Sequence, residues 1–418
     1  MRLLLSFAAL LLSVALLQLS SGALSPLDVL SGLQEGFTRT EVGMLGSSHF
    51  LGFFVGCWQA PRLIGTIGHI RTFTIFASFG AIGAAAHPLF IDPLAWAGMR
   101  IMTGLCVAGC YTAIESWLQA FLTNQTRGRV MGVYRVVDII SASGAQLLIG
   151  LLEPASYVSY NLLAILCCLC LLPVTLTTSA EPSVPETPRL RPLHMFRVSP
   201  LGAAGVIVAG ITTASFRMVG PIYGKEVGLS QVELGYFLAT VMLGGALAQF
   251  PAGLIADKYD RRRVLIGLSV LSLFICIGIA WANSTSPWLI YVGAALFGMA
   301  TYPIFSVSAA HANDFAKAGE MVGVNASLIF LYGIGAIASP LLTSSLVDRF
   351  GAPALFVFIA IAHALLLVFS VVRMSARPTA AYRTHYTYIP RTTYIIGKLL
   401  KRNNDNHPRD GSGEKTGH

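Results

Sequence analysis

Residues 354–372 read Ala-Leu-Phe-Val-Phe-Ile-Ala-Ile-Ala-His-Ala-Leu-Leu-Leu-Val-Phe-Ser-Val-Val, nineteen positions without an acid, a lysine or an arginine. A helix needs about 20 apolar residues to cross a hydrocarbon core about 30 Å thick, so this stretch is read as one crossing, over 353–374. Comparable runs recur toward the start of the chain, near 3–24, 42–61, 72–90, 94–121, 130–152, 157–177, 200–222, 231–255, 263–282, 287–310 and 320–346. With no water in the bilayer core the backbone must satisfy its own hydrogen bonds, and uninterrupted segments of this length do so as α-helices. The reading is an all-α membrane protein of twelve transmembrane helices. Composition points the same way: of 418 residues 55% are apolar and 11% charged, with a mean hydropathy of +0.68. A soluble enzyme is excluded.

The first run follows Arg2 and reaches Ser21-Gly22-Ala23, which imitates a secretory leader. Its length, and the Ser6, Ser13, Gln18 and Ser20 inside it, favour a retained first helix, because removal would leave an odd number of spans. Basic residues in alternate connections then set the orientation. One side holds only Arg39, Lys225 and Arg349. The other holds thirteen: Arg2, Arg62, Arg71, Arg127, Arg129, Arg189, Arg191, Arg197, Lys258, Arg261, Arg262, Arg263 and Lys317. Positive charge is retained on the cytoplasmic side, so both termini are expected there.

The net charge of +9 is concentrated from Arg373 onward, where nine basic residues stand against three acidic ones. That is a terminal tail rather than a basic folded face, so no nucleic-acid partner is expected. The tail segment 394–402, Tyr-Ile-Ile-Gly-Lys-Leu-Leu-Lys-Arg, suits a short amphipathic helix on anionic membrane lipid or a soluble tail. All seven cysteines lie within apolar runs and their number is odd. They read as packing residues, with neither a disulfide framework nor metal-ligand spacing.

From Ser179 to Pro200 the chain carries Pro182, Pro185, Pro188, Pro192 and Pro200 among bases, the composition of an extended linker. It divides the spans six and six. The expected organisation is a first bundle over 1–178, a cytoplasmic linker over 179–199, a second bundle over 200–376 and a basic cytoplasmic tail over 377–418.

Between spans eight and nine stands Gly253-Leu-Ile-Ala-Asp257-Lys258-Tyr259-Asp260-Arg261-Arg262-Arg263, an acid at a helix end followed by bases. This resembles the loop signature of the major facilitator superfamily, with Asp260 in place of its second glycine. A carboxylate paired with helix-end charge can latch neighbouring helices in one of two packings, so Gly253, Asp257, Lys258, Arg261 and Arg262 are read as a cytoplasmic gate. The corresponding loop 192 positions earlier keeps Gly68 and Arg71 but has Gly65 where the acid belongs. The gate is therefore expected to depend on the second copy. Arg100-Ile-Met-Thr-Gly104, with Gly109 beyond it, resembles the family's Arg-and-Gly motif, whose glycines permit close helix approach.

Four further stretches resemble the YcaD-like branch of bacterial inner-membrane facilitators: Glu115-Ser-Trp-Leu118, Arg127-Gly-Arg129, Gly144-Ala-Gln-Leu-Leu148 and Thr301-Tyr-Pro303. The resemblance covers about 3–375. It implies two pseudo-symmetric six-helix bundles, with spans three, six, nine and twelve outermost and the others around a central cavity. Span five lacks the Gly-rich stretch ending in Gly-Pro of many drug antiporters in this superfamily, and Gly335 to Pro340 in span eleven comes nearer to one.

An ionisable side chain at mid-bilayer costs on the order of 2.5–3.5 kcal/mol, so each needs a partner, a cavity or a task. His49, Arg100, Glu115, Arg135, Asp138 and Arg217 all fall inside spans and are the candidate substrate-binding or coupling residues. Glu115 lies nine residues before Asn124 and Arg135 eleven after it, which puts them at similar depth on adjacent helices. Arg135 and Asp138 are i,i+3 neighbours. A Glu-Arg-Asp network could load and release a proton, or serve as a static pair that fixes helix register. A guanidinium at Arg100 or Arg217 can hold a carboxylate or phosphate. For Arg100, pairing within its own half is the preferred reading, while Arg217 is expected near a helix break at Gly220-Pro221. His363 reads as a neutral packing histidine. Trp58, Trp117, Phe216, Tyr302, Phe305 and Tyr332 can line a route or simply pack.

No phosphate-binding Gly-Lys-Ser or Gly-Lys-Thr loop and no catalytic constellation occur in the sequence. The expected protein is a secondary transporter, not an enzyme, with no cofactor and no metal. It works as a monomer in the bacterial inner membrane, moving a small anionic or amphiphilic solute by alternating access with protons or another coupling ion. The alternative is a non-cycling membrane receptor or assembly protein.

Overall fold

The structure is a computed structural model that describes residues 2–120, 127–176, 192–282, 286–316 and 321–376, and every regular element among them is helical. The first half comprises α1 (Arg2–Gln34), α2 (Arg39–Ile67), α3 (His69–Ala86), α4 (Pro93–Ala120), α5 (Arg127–Leu148), α6 (Tyr157–Leu169) and α7 (Leu171–Thr175). A short α8 (Pro192–Val198) leads into α9 (Pro200–Glu226), α10 (Gln231–Lys258), α11 (Arg261–Ala282), α12 (Pro287–Thr301), α13 (Pro303–Asn313), α14 (Met321–Phe350) and α15 (Ala354–Ala376). Two rods are interrupted: α6 meets α7 at Cys170, and α12 meets α13 where Pro303 withholds its N–H.

Ten helical stretches among the described residues are long and apolar enough to cross a bilayer. The remaining two rods, α2 and α5, have the length, 29 and 22 residues, but not the composition. Both carry charge along their course, and both pack inside the bundle, α2 against α4 and α14 and α5 against α1 and α10. Burial among other helices excuses them from being apolar all round.

The two halves repeat one pattern. In the first, α1 packs on α5 and α6, α2 on α4, and α3 on α4 and α6; in the second, α9 packs on α14 and α15, α10 on α12, and α11 on α12 and α15. Exchanging each rod for the one six places later converts the first set into the second. Glycine sets the tightest crossings. A Cβ on Gly104 of α4 would overlap the His49 carbonyl of α2 and stand 2.7 Å from Phe53 N. Its counterpart in the second half is Gly298 of α12, where a Cβ would overlap the Val241 carbonyl of α10 and stand 2.9 Å from Gly245 N. The reciprocal glycines, Gly52 and Gly244, are 192 residues apart and lie against the Ile101 and Ala295 backbones.

Apolar packing divides into three cores. One belongs to the first half, with Phe73, Phe76, Tyr134 and Trp117 at its centre. A second belongs almost wholly to the second half, around Phe305, Leu328 and Leu366. The third joins both halves toward one end, combining Leu27, Trp96, Ile149 and Tyr160 with Phe216, Phe237, Phe297 and Phe356. This is the end that carries the few bases, called here the basic-poor end. Ion pairs and hydrogen bonds between the halves gather there too. Arg39 meets Glu226 at 2.5 Å, Thr40 donates to Asp348 at 3.1 Å, and the Gln231 amide donates to the carbonyls of Ile149 (2.5 Å) and Leu152. Gly46 admits Met218 of α9 and Pro340 of α14 against the α2 backbone.

Three sequence expectations need correction. Residues 192–198 are helical rather than extended: Pro192 starts the helix, and Met195 is buried in the second-half core. Ser199 caps α9, and residues 179–191 of the proposed linker and the whole tail lie outside the described residues. The first helix runs to Gln34 instead of ending near Leu24, so Asp28, which falls between the predicted spans one and two, is inside the protein and fully buried. Finally, α9 continues through Pro221 to Glu226. Membrane helices tolerate an internal proline when neighbouring groups accommodate the freed carbonyl.

Candidate functional site

At mid-depth between the halves lies a cavity of about 190 Å³. Its walls come from α1 (Gln18), α2 (His49, Phe50, Phe53), α4 (Val107, Tyr111), α5 (Arg135, Asp138, Ile139, Ala142), α9 (Thr213, Arg217), α10 (Met242, Ala246, Gln249), the α12–α13 junction (Tyr302, Phe305, Ser306) and α14 (Tyr332). The rods α3, α6–α7, α11 and α15 contribute nothing to it, as the family resemblance implies for spans three, six, nine and twelve.

The structure brings Glu115, Arg135 and Asp138 together. The Arg135 guanidinium stands 3.6 Å from Glu115 and 3.5 Å from Asp138. Tyr134 donates a short hydrogen bond to Glu115, and the Tyr111 hydroxyl lies 2.5 Å from Gln18 Oε1 and 2.8 Å from Asp138 Oδ1. Arg135 and Asp138 face the cavity, whereas Glu115 is buried behind them. Two carboxylates thus share one guanidinium. With both acids ionised the trio carries a net charge of −1, and a single proton makes it neutral, the cheaper state in a low-dielectric interior.

Arg217 also lines the cavity, from the opposite half. Its described hydrogen bond is a long one, 3.4 Å, to the Ser21 carbonyl, and no described carboxylate lies at ion-pair distance from it. His49 is buried at the same level, with Nδ1 3.3 Å from Thr103 Oγ1. Arg100 is placed differently. It is 1% exposed, lies outside the cavity wall and meets Asp28 of α1 at 3.2 Å, with a bond of 3.3 Å to Ser25. The pairing stays within its own half, and its acid was invisible in the sequence because Asp28 falls where the apolar run ends.

Of the aromatics named from sequence, Tyr302, Phe305 and Tyr332 line the cavity. Trp117 and Phe216 are buried in packing, and Trp58 is half exposed beneath the Arg62 guanidinium, 3.9 Å from its ring. His363 sits at 3.1 Å from Thr212 in the α9–α15 contact, a packing position.

The residues expected from the sequence to form a gate occupy the α10–α11 corner. Gly253 is buried, Asp257 pairs with Arg261 at 3.3 Å, and Lys258 is exposed over Tyr259. Arg261 is the hub. Its guanidinium is buried, 2.5 Å from Asp314 and 2.9 Å from the Ala310 carbonyl, which ties this corner to α13. Asp260, the departure from the family signature, accepts the Arg262 backbone N–H at 3.0 Å and its guanidinium at 2.8 Å. It caps α11 in the way an N-cap aspartate does. Burial works to raise the Asp260 carboxyl, but the Arg262 bonds and charge outweigh it and hold the group below its usual range.

Comparison with known proteins bears on the family and the fold. The model of the Major Facilitator Superfamily matches residues 10–238 and 201–403. An uncharacterized MFS-type transporter of Yersinia pestis (strain Pestoides F) is 29% identical over 322 residues, 77% of this chain and 83% of the relative. The YcaD transporter of Escherichia coli O45:K1 is 28% identical over 359 residues, 84% and 91% of the two chains. Among solved structures, the nucleoside transporter NupG superposes with a TM-score of 0.75 at 12% identity, covering 88% of this chain and 98% of its own. A D-xylose-proton symporter gives 0.66 at 14%, covering 91% and 99%.

Proposed function

The chain belongs to the Major Facilitator Superfamily, and from that premise we propose that it carries a small anionic or amphiphilic solute by alternating access, driven by protons, across the bacterial inner membrane. By family and fold it is a multi-pass secondary transporter. The observation that carries the anionic reading is Arg217, a guanidinium in the cavity wall with no described carboxylate at ion-pair distance. A carboxylate or phosphate entering the cavity would supply that charge through two parallel hydrogen bonds. Phe50, Phe53 and Phe305 offer an apolar surface to the remainder of the solute.

Protons enter through the trio across the cavity. A proton taken up by Glu115 or Asp138 removes its surplus negative charge, and its loss restores it, so the Arg135 contacts are redistributed with each load. The basic-poor end, sealed by Arg39–Glu226 and Gln231, is read as the periplasmic face, and the structure as the inward-facing form. Opening outward would break those contacts and re-form packing around the α10–α11 corner.

A thermal-shift panel of aliphatic and aromatic carboxylates, phosphate and sulfonates is expected to find an anion whose stabilisation is lost in Arg217→Lys. Unchanged shifts for every anion in that variant would refute the anionic reading. Uptake of the same anion into proteoliposomes is expected to lose its response to an imposed pH gradient in Glu115→Gln or Asp138→Asn. A full response in both removes the proton.

A further inference from the structure

The stripe of α2 that turns away from the cavity ends in a charge that its counterpart in the second half lacks. Leu51, Val55, Trp58 and Arg62 recur at i, i+4, i+7 and i+11, so they share one face of the helix, and all four are exposed. His49 and Phe53, which line the cavity, each stand two positions from Leu51 and so on the opposite side. Gly52 and Phe54 carry the flanking contacts with α4 and α14. The stripe therefore faces the membrane. Along α10, 192 positions later, the matching exposed residues are Leu243, Leu247, Phe250 and Leu254. That second stripe is apolar to its end, whereas the first closes on a guanidinium 3.9 Å from the Trp58 ring centroid.

The turns that follow differ in the same sense. In the second half Asp257 pairs with Arg261 at 3.3 Å and Asp260 with Arg262 at 2.8 Å. Gly65 and Gly68 occupy the positions of those two acids in the first half, while Arg71 keeps that of Arg263. No acid occurs anywhere from Val42 to Ile91. Arg71 is exposed, and among the described residues no carboxylate lies at ion-pair distance from Arg62 or Arg71. We propose that the α2–α3 corner binds the headgroup of an anionic phospholipid. Its phosphate supplies the negative charge that Asp257 and Asp260 supply at the other corner, and its acyl chain lies along Trp58, Val55 and Leu51.

Length and chemistry both suit a lipid. Leu51 and Arg62 are about 16 Å apart along the helix at about 1.5 Å per residue, close to one leaflet of a hydrocarbon core about 30 Å thick. Trp58 lies one turn from the charge, where an amphipathic ring marks the boundary between chains and headgroups. A soluble phosphate would engage the arginines and leave the three apolar residues without a partner, and an uncharged lipid would do the reverse. The surrounding field is positive too: Arg127 and Arg129 open α5 at this same end, and no acid occurs from Ser116 to Val137. Lys258 and Arg263 remain exposed at the second corner, but within three residues of Asp257 and Asp260. A weaker pull on an anionic headgroup follows there.

The proposal needs neither the anionic cargo nor the proton, and its test uses vesicles alone. Trp58 is a built-in reporter, because a brominated acyl chain quenches an indole that it touches. In a protein retaining only this tryptophan (Trp96, Trp117, Trp281 and Trp288 changed to Phe), quenching is measured in vesicles of phosphatidylcholine and phosphatidylglycerol with bromine on one lipid or the other. Phosphatidylglycerol is expected to be preferred at Trp58 by about fivefold for each of the two guanidiniums. Arg62→Gln is expected to lower the preference about fivefold, and Arg62→Gln with Arg71→Gln to abolish it. With the reporter moved by Trp58→Phe and Phe250→Trp, the preference is expected to be smaller. Equal quenching of Trp58 by the two lipids, a preference that survives the double exchange, or an equal one at the second stripe overturns the proposal. Trp117 is buried, so its exchange can unsettle the fold. Native mass spectra of the protein with all its tryptophans, released from the same mixed vesicles, give a second reading: phosphatidylglycerol is expected to be retained over phosphatidylcholine, and no longer so after the double exchange of Arg62 and Arg71. Equal retention of the two lipids by the parent overturns the proposal as well.

Discussion

Gly104→Ala adds one methyl group at the crossing of α2 and α4, and the structure leaves no space for it. The new Cβ would stand 2.7 Å from the Phe53 backbone nitrogen, against an ordinary contact of 3.4 Å, and closer still to the His49 carbonyl. Both neighbours are backbone, so no rotamer change relieves the overlap, and the helices must part by at least the missing 0.7 Å. A gap of about 0.5–1 Å forfeits a quarter to a half of each dispersion contact it opens, here along the whole seam. Overpacking commonly costs about 1–3 kcal/mol, and with rigid backbone on both sides the upper end is expected, about 3 kcal/mol. Gly98→Ala on the same helix is the control, because a Cβ there has nothing within 4 Å. Unfolding of the purified protein by titration with a denaturing detergent is expected to show Gly104→Ala destabilised by that amount and Gly98→Ala within about 0.5 kcal/mol of the parent. Equal stability of the two variants would refute the account of the seam.

The α10–α11 corner yields two further expectations. Arg261→Ala leaves the Asp314 carboxylate buried without its guanidinium, so a loss of about 3–5 kcal/mol is expected in the same unfolding assay, while Lys258→Ala at the exposed end of α10 stays near zero. Because Asp260 is held below its ordinary value of 3.8 in the folded protein, it contributes stability above that pH and loses it as the pH falls through the folded value. Asp260→Asn is therefore expected to melt below the parent at pH 7, with the difference shrinking below about pH 4. A constant difference across that window would assign the role to packing instead.

Much of the fold was legible because hydrophobic length is written directly into the chain. The apolar runs located the rods, and the depth count from Asn124 brought Glu115 and Arg135 to the same level on adjacent helices. Helix ends were less visible. Asp28 interrupts the apolar signal at its own position, so the first helix seemed to end before it, and its buried partner in His87 went unseen. The break expected at Gly220-Pro221 did not form because in a bundle the surrounding helices, rather than local propensity, decide whether a proline interrupts. The inter-half contacts Arg39–Glu226 and Thr40–Asp348 join residues more than 180 positions apart. In the sequence these residues carried no signal beyond a count of charges.

The glycine crossings have a consequence for how such a protein can change its diet over generations. Gly52, Gly104, Gly244 and Gly298 weld α2 to α4 and α10 to α12, while the side chains of Phe50, Phe53, Val107 and Met242, at other positions of the same helices, face the cavity. With the cavity taken as the proposed cargo site, chassis and palate are written at separate positions. Selection is free to rewrite the palate residue by residue while the welds stay untouched, so a lineage can acquire a new diet without first surviving a loss of structural integrity.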